Sequence, residues 1–334
     1  MVTLAVDAMG GDHAPLEIVR GAAAALQVRQ DLELLLVGRR EQVEEALEGV
    51  AYPAGRLKLI HAEEVIRGED DPALAVRRKK HSSLVTAMQL VREGEADAVL
   101  SAGNTGALMA GALLFLGRLP GVTRPALLAV LPGFGAAPFV LIDAGANMDA
   151  RPGQLLQYAF MGRIYARQLL GRTAPKVALL NVGAETNKGN NQVKKAFPLL
   201  QEYIEGFCGN VEGTDLFSGA ADVVVSDGFV GNVVLKTVEG LTRGLFGRFE
   251  QELTRDGRAD TGVLRPALMR LRDQVEGSGY GGAPLVGVKG LCIKCHGSSQ
   301  ARSIEQAVLQ QAYPFVRLRL EDLFLKDLAE MPVS

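Results

Sequence analysis

Residues 177–190 read VALLNVGAETNKGN. The first four are wholly apolar, and then Asn, Glu, Thr, Lys and two Gly arrive together. A short continuous apolar run cut off by a polar, glycine-containing segment fits a strand buried on both faces. Helical periodicity resumes at 193–203. The stretch therefore reads strand, loop, helix, which is the repeating unit of a parallel α/β sheet. It also poses a question: why do so many hydrogen-bonding groups, and one Lys, stand where a buried strand ends?

The same unit recurs along all 334 residues. Apolar runs lie at 4–6, 34–37, 57–60, 98–100, 126–131, 139–142, 177–180, 223–225 and 285–288. Helical periodicity fills 16–28, 42–47, 83–92, 106–115, 153–170, 193–203 and 300–318. This alternation predicts a doubly wound, Rossmann-like α/β fold with a mostly parallel sheet, organised as a single domain over 1–334. Polar loops follow the runs: SAGNTGALMAG at 101–111, DAGANMDARP at 143–152, the stretch quoted above, SDGFVGNVVLK at 226–236 and GLCIKCHGSS at 290–299. Gly, Asn and Asp are ordinary turn formers. Repetition at five strand ends favours a second role, because such loops share the sheet edge where ligands bind and are expected to converge.

Composition narrows the partners. The formal charge is −2, Trp is absent and aromatics make up 5%, so neither a basic field nor a base-stacking platform for nucleic acid is present. Three Cys suit a reducing compartment. The chain enters the strand-like VTLAVD at once, so no secretory leader is expected, and the longest apolar stretch, 107–116, is too short to cross a bilayer. A helix lying on a membrane surface stays open.

The loops offer anion sites. GNTG opens a helix near Gly106, HGSS precedes another near Gln300, and SDG precedes a third near Phe229. Unpaired amides and the helix dipole favour a small anion such as phosphate at such starts. None of the three is a nucleotide fingerprint. Lys188 and Lys294 stand in these loops; in a cleft an ammonium holds a phosphate or an oxyanion, and on a surface it is merely solvated. CIKC has metal-ligand spacing, but a lone pair lacks two ligands, and in a strand residues three apart face opposite sides. His296 reads equally as a ligand, a proton shuttle or a hydrogen-bonding residue.

Two further segments bear on partners. Arg77, Arg78, Lys79 and Lys80 form a basic run that is either a solvated face or a dock for an acidic partner. From about 229 to 276, two amphipathic helices follow each other with no strand between. The first carries Val234, Leu235, Val238, Leu241, Leu245, Phe246, Phe249 and Leu253; the second carries Val263, Leu264, Ala267, Leu268 and Leu271 among Arg265, Arg270 and Arg272. A subunit interface and a membrane-surface contact both fit this protruding hairpin.

Five motifs in order now matter: AVDAMGGDHAP at 5–15, SAGNTGALMA at 101–110, GANMDARP at 145–152, NVGAETNKGN at 181–190 and SDGFVGNVVLKTVEG at 226–240. Together they resemble the acyl-acyl carrier protein:phosphate acyltransferases of bacterial phospholipid synthesis, over nearly the whole chain. The resemblance implies a three-layer α/β/α fold akin to phosphotransacetylases and isopropylmalate dehydrogenases. It implies that inorganic phosphate attacks an acyl thioester on acyl carrier protein, without cofactor or metal, in a cytosolic homodimer held loosely at the membrane. Carried over residue by residue, Lys188 and Asn232 take the chemistry. Asn104, Thr105 and Gly106 contact phosphate, Asp12 and His13 shape the site, and His296, Ser298 and Ser299 line it. Membrane contact falls to Leu245, Phe246, Phe249, Leu264 and Leu268. The segment before HGSS departs from the family pattern, since Cys292, Lys294 and Cys295 stand there, which weakens the transfer of His296, Ser298 and Ser299. Two rival readings are a nicotinamide-dependent decarboxylating dehydrogenase, with Asp143, Asp149, Asp222 and Asp227 around magnesium, and a non-catalytic acyl-carrier or lipid sensor.

Overall fold

The computed structural model describes residues 1–255, 264–276 and 280–329. Its strands, in chain order, are β1 (Val2–Asp7), β2 (Leu32–Gly38), β3 (Leu57–His61), β4 (Ala98–Ser101), β5 (Ala126–Leu131), β6 (Phe139–Ile142), β7 (Val177–Leu180), β8 (Phe207–Val211), β9 (Val223–Val225), β10 (Gly282–Val286) and β11 (Leu291–Cys295). The chain divides into two compact units, Met1–Leu128 with Tyr280–Ser334, and Ala129–Gly279.

In the first unit the strand order is β3-β2-β1-β4-β11-β10, with β10 also pairing the start of β5 through Leu285–Leu127 and Val286–Ala126. Only β10 runs against its neighbours. Leu4, Ala5, Val6 and Asp7 are all buried, so both faces of β1 are covered. The helix Ser83–Arg92 packs on β1, β2 and β4, and Leu16–Val28 packs on β2 and on the helix Ala301–Gln306. That last crossing is made at Gly21, where a Cβ would stand 2.2 Å from the carbonyl oxygen of Ala301.

In the second unit β6-β9-β7-β8 are all parallel. Every residue of β6, β7 and β9 is buried. Each Val, Leu or Ile there contributes roughly 1.5–3 kcal/mol by leaving water, and no polar side chain is spared for these short strands. The helix Pro152–Leu169 covers β6 and β9, and the helix Asn191–Tyr203 packs beside it.

The expected strands are all present, most of them within two residues of the sequence boundaries. Four strands or α-helices went unread, one of them the helix Leu320–Ala329 beyond the last periodic segment. β8 is a half-exposed edge strand with Asn210 and a left-handed Gly209 inside it, so its apolar signal is weak. β11 carries Lys294, and the helix Pro72–Arg78 is only seven residues long.

The two amphipathic helices are Gly228–Arg255 and Leu264–Glu276, packed on each other, with Arg272 paired to Glu250 at 3.4 Å. The turn between them, with Val263, lies outside the described residues. Early in the first helix, Val230 and Val234 lie against the apolar core of the second unit. Farther along the same stripe, Leu241, Leu245 and Phe249 are 67%, 50% and 47% exposed, and Leu264 of the second helix is also exposed. Phe246 corrects the sequence reading, because only 5% of it is exposed. One residue beyond Leu245 it is turned about 100° around the helix, onto the covered side. Leu268 is half-buried.

Candidate active site

Three loops gather at one sheet edge in each unit. In the first, β1, β4 and β11 are parallel neighbours, and the loops after Asp7, Ser101 and Cys295 leave from their carboxyl ends. Asp7, Ser101 and Lys294 stand in register across these three strands, so their side chains share a face. The Ser101 hydroxyl donates to the Asp7 carboxylate at 2.7 Å and accepts the Gly103 amide at 3.0 Å. Burial pushes the Asp7 carboxyl above its ordinary range, against hydrogen bonds from Ser101, Ser83 and the Met9 amide and the charge of Lys294. Lys294 donates to the carbonyls of Ala102 and Cys295. Gly10 is required here: a Cβ would lie 2.5 Å from an Asp7 oxygen and 2.8 Å from the Gly103 nitrogen.

The loops themselves touch. The Asp12 amide donates to the Gly297 carbonyl at 2.8 Å, and Gly11 packs against Ala102. So the structure brings Asp12 and His13 beside 296–299, and both beside the GNTG loop. The Asn104 side chain, expected to contact phosphate, has a different role. Its oxygen caps the helix Thr105–Gly111 by accepting the Ala107 amide at 3.0 Å, and its NH2 donates to the carbonyls of Arg67, Gly68 and Asp70. All its bonding capacity therefore holds backbone. The Ser298 amide donates to Nδ1 of His296 at 3.2 Å, and the Ser298 hydroxyl lies 2.8 Å from the same nitrogen. His296 and Ser298 are exposed and Ser299 is buried. The helix start after HGSS is already answered by protein, because the Ala301 amide donates to the Glu17 carboxylate at 2.8 Å.

In the second unit the loops after β6, β7 and β9 share an edge. Asp143, fully buried, accepts the amides of Gly145, Ala146 and Asn147 at 3.1, 2.8 and 2.7 Å, and the Asn147 side chain at 3.0 Å. Asp227 accepts the Val230 amide at 2.8 Å and so caps the long helix. The stretch after β7 is organised by Asn181: its oxygen accepts the Val182 amide at 2.8 Å and its NH2 donates to the Lys188 carbonyl at 3.1 Å. Gly189, at φ +92°, passes so close that a Cβ would meet the Asn181 oxygen at 2.3 Å. Asn190 then caps the helix Asn191–Tyr203 through the amides of Gln192 and Val193. This answers the question set by the sequence. The polar residues beyond the strand fold the loop on itself, and Glu185, Thr186, Asn187 and Lys188 are left exposed on it, Lys188 being the one cation among them.

Lys188 is exposed and no ion pair reaches it among the described residues. Asn232, half-buried on the second turn of the long helix, lies over the Asp143 turn: a Cβ at Gly145 would stand 3.5 Å from its Cβ and Cγ. Its amide enters no hydrogen bond among the described residues. Glu185, Thr186 and Asn187 also have no side-chain partner among the described residues, but of these polar groups an ammonium with an amide NH2 suits an anion or a developing oxyanion.

Three of the four carboxylates of the magnesium reading are engaged by protein, and Asp149 alone is exposed. Asp143 and Asp227 hold backbone amides, and Asp222 pairs with Arg172 at 3.1 Å and accepts the Lys176 amide. Among the described residues no three His, Cys, Asp or Glu side chains gather as a metal would need. Cys292 and Cys295 are wholly buried on β11, where burial pushes both thiols up to about 12. Cys208 lies on β8, donates to the Val177 carbonyl at 3.3 Å, and is likewise raised by burial.

A family model described as "Fatty acid synthesis protein" matches residues 2–319. A phosphate acyltransferase of Geobacillus thermodenitrificans is 50% identical over 311 residues, covering 92% of this chain and 94% of that one. One from Brevibacillus brevis is 46% identical over 327 residues, covering 97% of each. The chain belongs to the phosphate acyltransferase family. At the level of fold alone, a phosphotransacetylase from Streptococcus pyogenes superposes with a TM-score of 0.63 at 17% identity, over 95% of this chain and 94% of that one. A branched-chain phosphotransacylase from Enterococcus faecalis gives 0.58 at 19%, over 95% and 99%. Both agree with the mostly parallel sheet flanked by helices.

Sequence reasoning missed the builders of the family's loops. Asp7 and Asp143 each stand at a strand end with Ala next and Gly two or three residues on, in DAMG and DAG. That shared signal marks a carboxylate positioned to collect turn amides.

Proposed function

We propose that this phosphate acyltransferase moves a fatty acyl group from acyl carrier protein to inorganic phosphate, and that the acyl phosphate feeds phospholipid synthesis. A phosphate oxygen attacks the thioester carbonyl; a C–O bond forms, the C–S bond breaks, and the thiolate leaves and takes a proton from water. Thioesters are activated and phosphate is nucleophilic near neutral pH, so catalysis rests on positioning and oxyanion stabilisation rather than a strong base. Lys188 holds phosphate or the oxyanion, and Asn232 donates a further hydrogen bond. In the first unit, the amides of Thr105 and Gly106 with Asp12, His13, His296, Ser298 and Ser299 are proposed as contacts for phosphate or acyl phosphate. The observation that carries the reading is the self-folded loop of Asn181 presenting an unpaired Lys188 at a strand end, in a chain half identical to named phosphate acyltransferases.

The apolar stripe of the long helix supports a homodimer with peripheral membrane attachment, since Leu241, Leu245 and Phe249 stay uncovered where the stripe outruns the core. No described helix is long and apolar enough to cross a membrane.

The test mixes the protein with acyl carrier thioester, with and without phosphate. Free thiol and a hydroxylamine-trapped acyl group should appear only with phosphate. Thiol release without phosphate, or none in its presence, contradicts the reading and separates it from a sensor that binds without turnover.

A further inference from the structure

The two basic segments differ in how their cations are placed. Of the hairpin arginines, Arg272 pairs with Glu250 at 3.4 Å, while Arg265 and Arg270 are exposed on a helix that packs on the long helix Gly228–Arg255. In the basic run only Lys79 is engaged, with Asp70 at 2.6 Å and the Val65 carbonyl at 2.9 Å. Arg77, Arg78 and Lys80 are exposed, and no ion pair or side-chain hydrogen bond to them occurs among the described residues. Leu74, 48% exposed, adds an apolar contact one turn away on the same helix. The result is three unpaired cations beside a leucine, at the end of a rigid short helix whose start is capped by Asp71.

That helix is tied to the GNTG loop. Pro72 packs against Gly106, where a Cβ would stand 2.7 Å from the proline Cγ. Asn104 donates to three carbonyls of 67–70, the segment that leads into the basic helix, while its oxygen caps the helix beginning at Thr105. Asp70 is fixed by Lys79 and by the Arg67 amide at 2.7 Å. One side chain, Asn104, thus links the candidate anion loop to the segment that carries the cationic surface.

We infer that Arg77, Arg78 and Lys80, with Leu74, form the docking surface for an acidic macromolecular donor, and that Asn104 holds this surface in fixed relation to the GNTG loop. The inference rests on the preceding reading, which identifies the donor as an acyl carrier protein. Unpaired cations attract an acidic face through long-range steering that weakens as salt screens it. A donor docked here meets the loop that the same asparagine shapes.

The experiment compares KM for a carrier-bound acyl group with KM for the same acyl group on pantetheine, at low and high salt. Charge reversal in the Arg77→Glu/Arg78→Glu/Lys80→Glu protein should raise the ratio of the two at least tenfold, and most of the salt dependence of the carrier KM should vanish. Arg265→Glu/Arg270→Glu should leave the ratio within twofold. A ratio unmoved by the first variant, or moved instead by the second, overturns the inference while the acyl-transfer reading stands. Wild-type protein that turns over the pantetheine thioester and ignores the carrier-bound one overturns both the carrier reading and this surface.

Discussion

The loop edges of the two units use the same residue types to opposite ends. In the first unit several side chains are taken up by other protein groups: Asn104 caps one helix and ties down a second loop, Ser101 and Asp7 bond each other, and His296 and Ser298 bond each other, while Asp12 and His13 stay exposed. In the second, Asn181, Asn190, Asp143 and Asp227 do the building. That leaves Lys188 and Asn232 with nothing in the described fold to hold. The lesson is that an Asn or Asp in a strand-end loop is informative only once its hydrogen bonds are counted. A polar group whose partners are all internal shapes a site, and one without partners is available to a substrate.

This contrast is most easily broken at Lys188. Lys188→Ala should cut phosphate-dependent turnover by roughly a hundredfold or more, the size of effect seen when an oxyanion donor is lost, with the unfolding midpoint unmoved. Unchanged kinetics would remove Lys188 from the chemistry. A smaller effect is expected one layer behind it. Asn181→Ala deletes the bonds to Val182 and to the Lys188 carbonyl, so the loop should loosen. Turnover should then drop about tenfold, because small misplacements of a catalytic group are costly. Stability should fall by no more than about 2 kcal/mol for two exposed hydrogen bonds. A large loss of stability with normal turnover would show that Asn181 serves the fold rather than the lysine.

The smallest effect on turnover is expected at groups outside the proposed chemistry. Cys292 and Cys295 are raised by burial to about 12, from an ordinary 9.0. Below pH 9 both states keep these protons and pH has no effect through them. Between about 9 and 12 the unfolded thiols ionise and the folded ones do not, so stability falls as pH rises. The slope approaches about 1.4 kcal/mol per pH unit for each thiol. Cys292→Ala/Cys295→Ala should flatten the stability profile above pH 9 and, with Cys208→Ser added, retain substantial turnover. Complete loss of turnover in a folded triple variant would point to a protein-bound acyl adduct instead of direct attack.

Much of this was legible before any coordinates. The apolar runs of β6, β7 and β9 are short and uninterrupted because both faces are buried, and such runs are visible in sequence. The loops at their ends were visible too, as were Lys188 and Asn232. What could not be read was the difference between Asn104 and Asn232. Both follow a glycine in a polar segment after a strand, Asn104 just before a helix and Asn232 inside one, yet only the first meets three carbonyls from a segment 34 to 37 residues away. Long-range partners leave no local signature. The same holds for Glu17, which answers a helix start 284 residues distant, and for Phe246, whose side of the helix depends on what packs there.

The pair that separates building from chemistry is Asn104→Ala and Asn232→Ala, each measured for turnover and for unfolding free energy in the same buffer. The account predicts crossed outcomes. Asn104→Ala should lose about 1–2 kcal/mol of stability through its helix cap and loop bonds, and Asn232→Ala should keep its stability while its turnover falls at least tenfold. An Asn232→Ala protein that is destabilised yet catalyses at the normal rate would contradict the claim that the uncommitted amide belongs to the substrate.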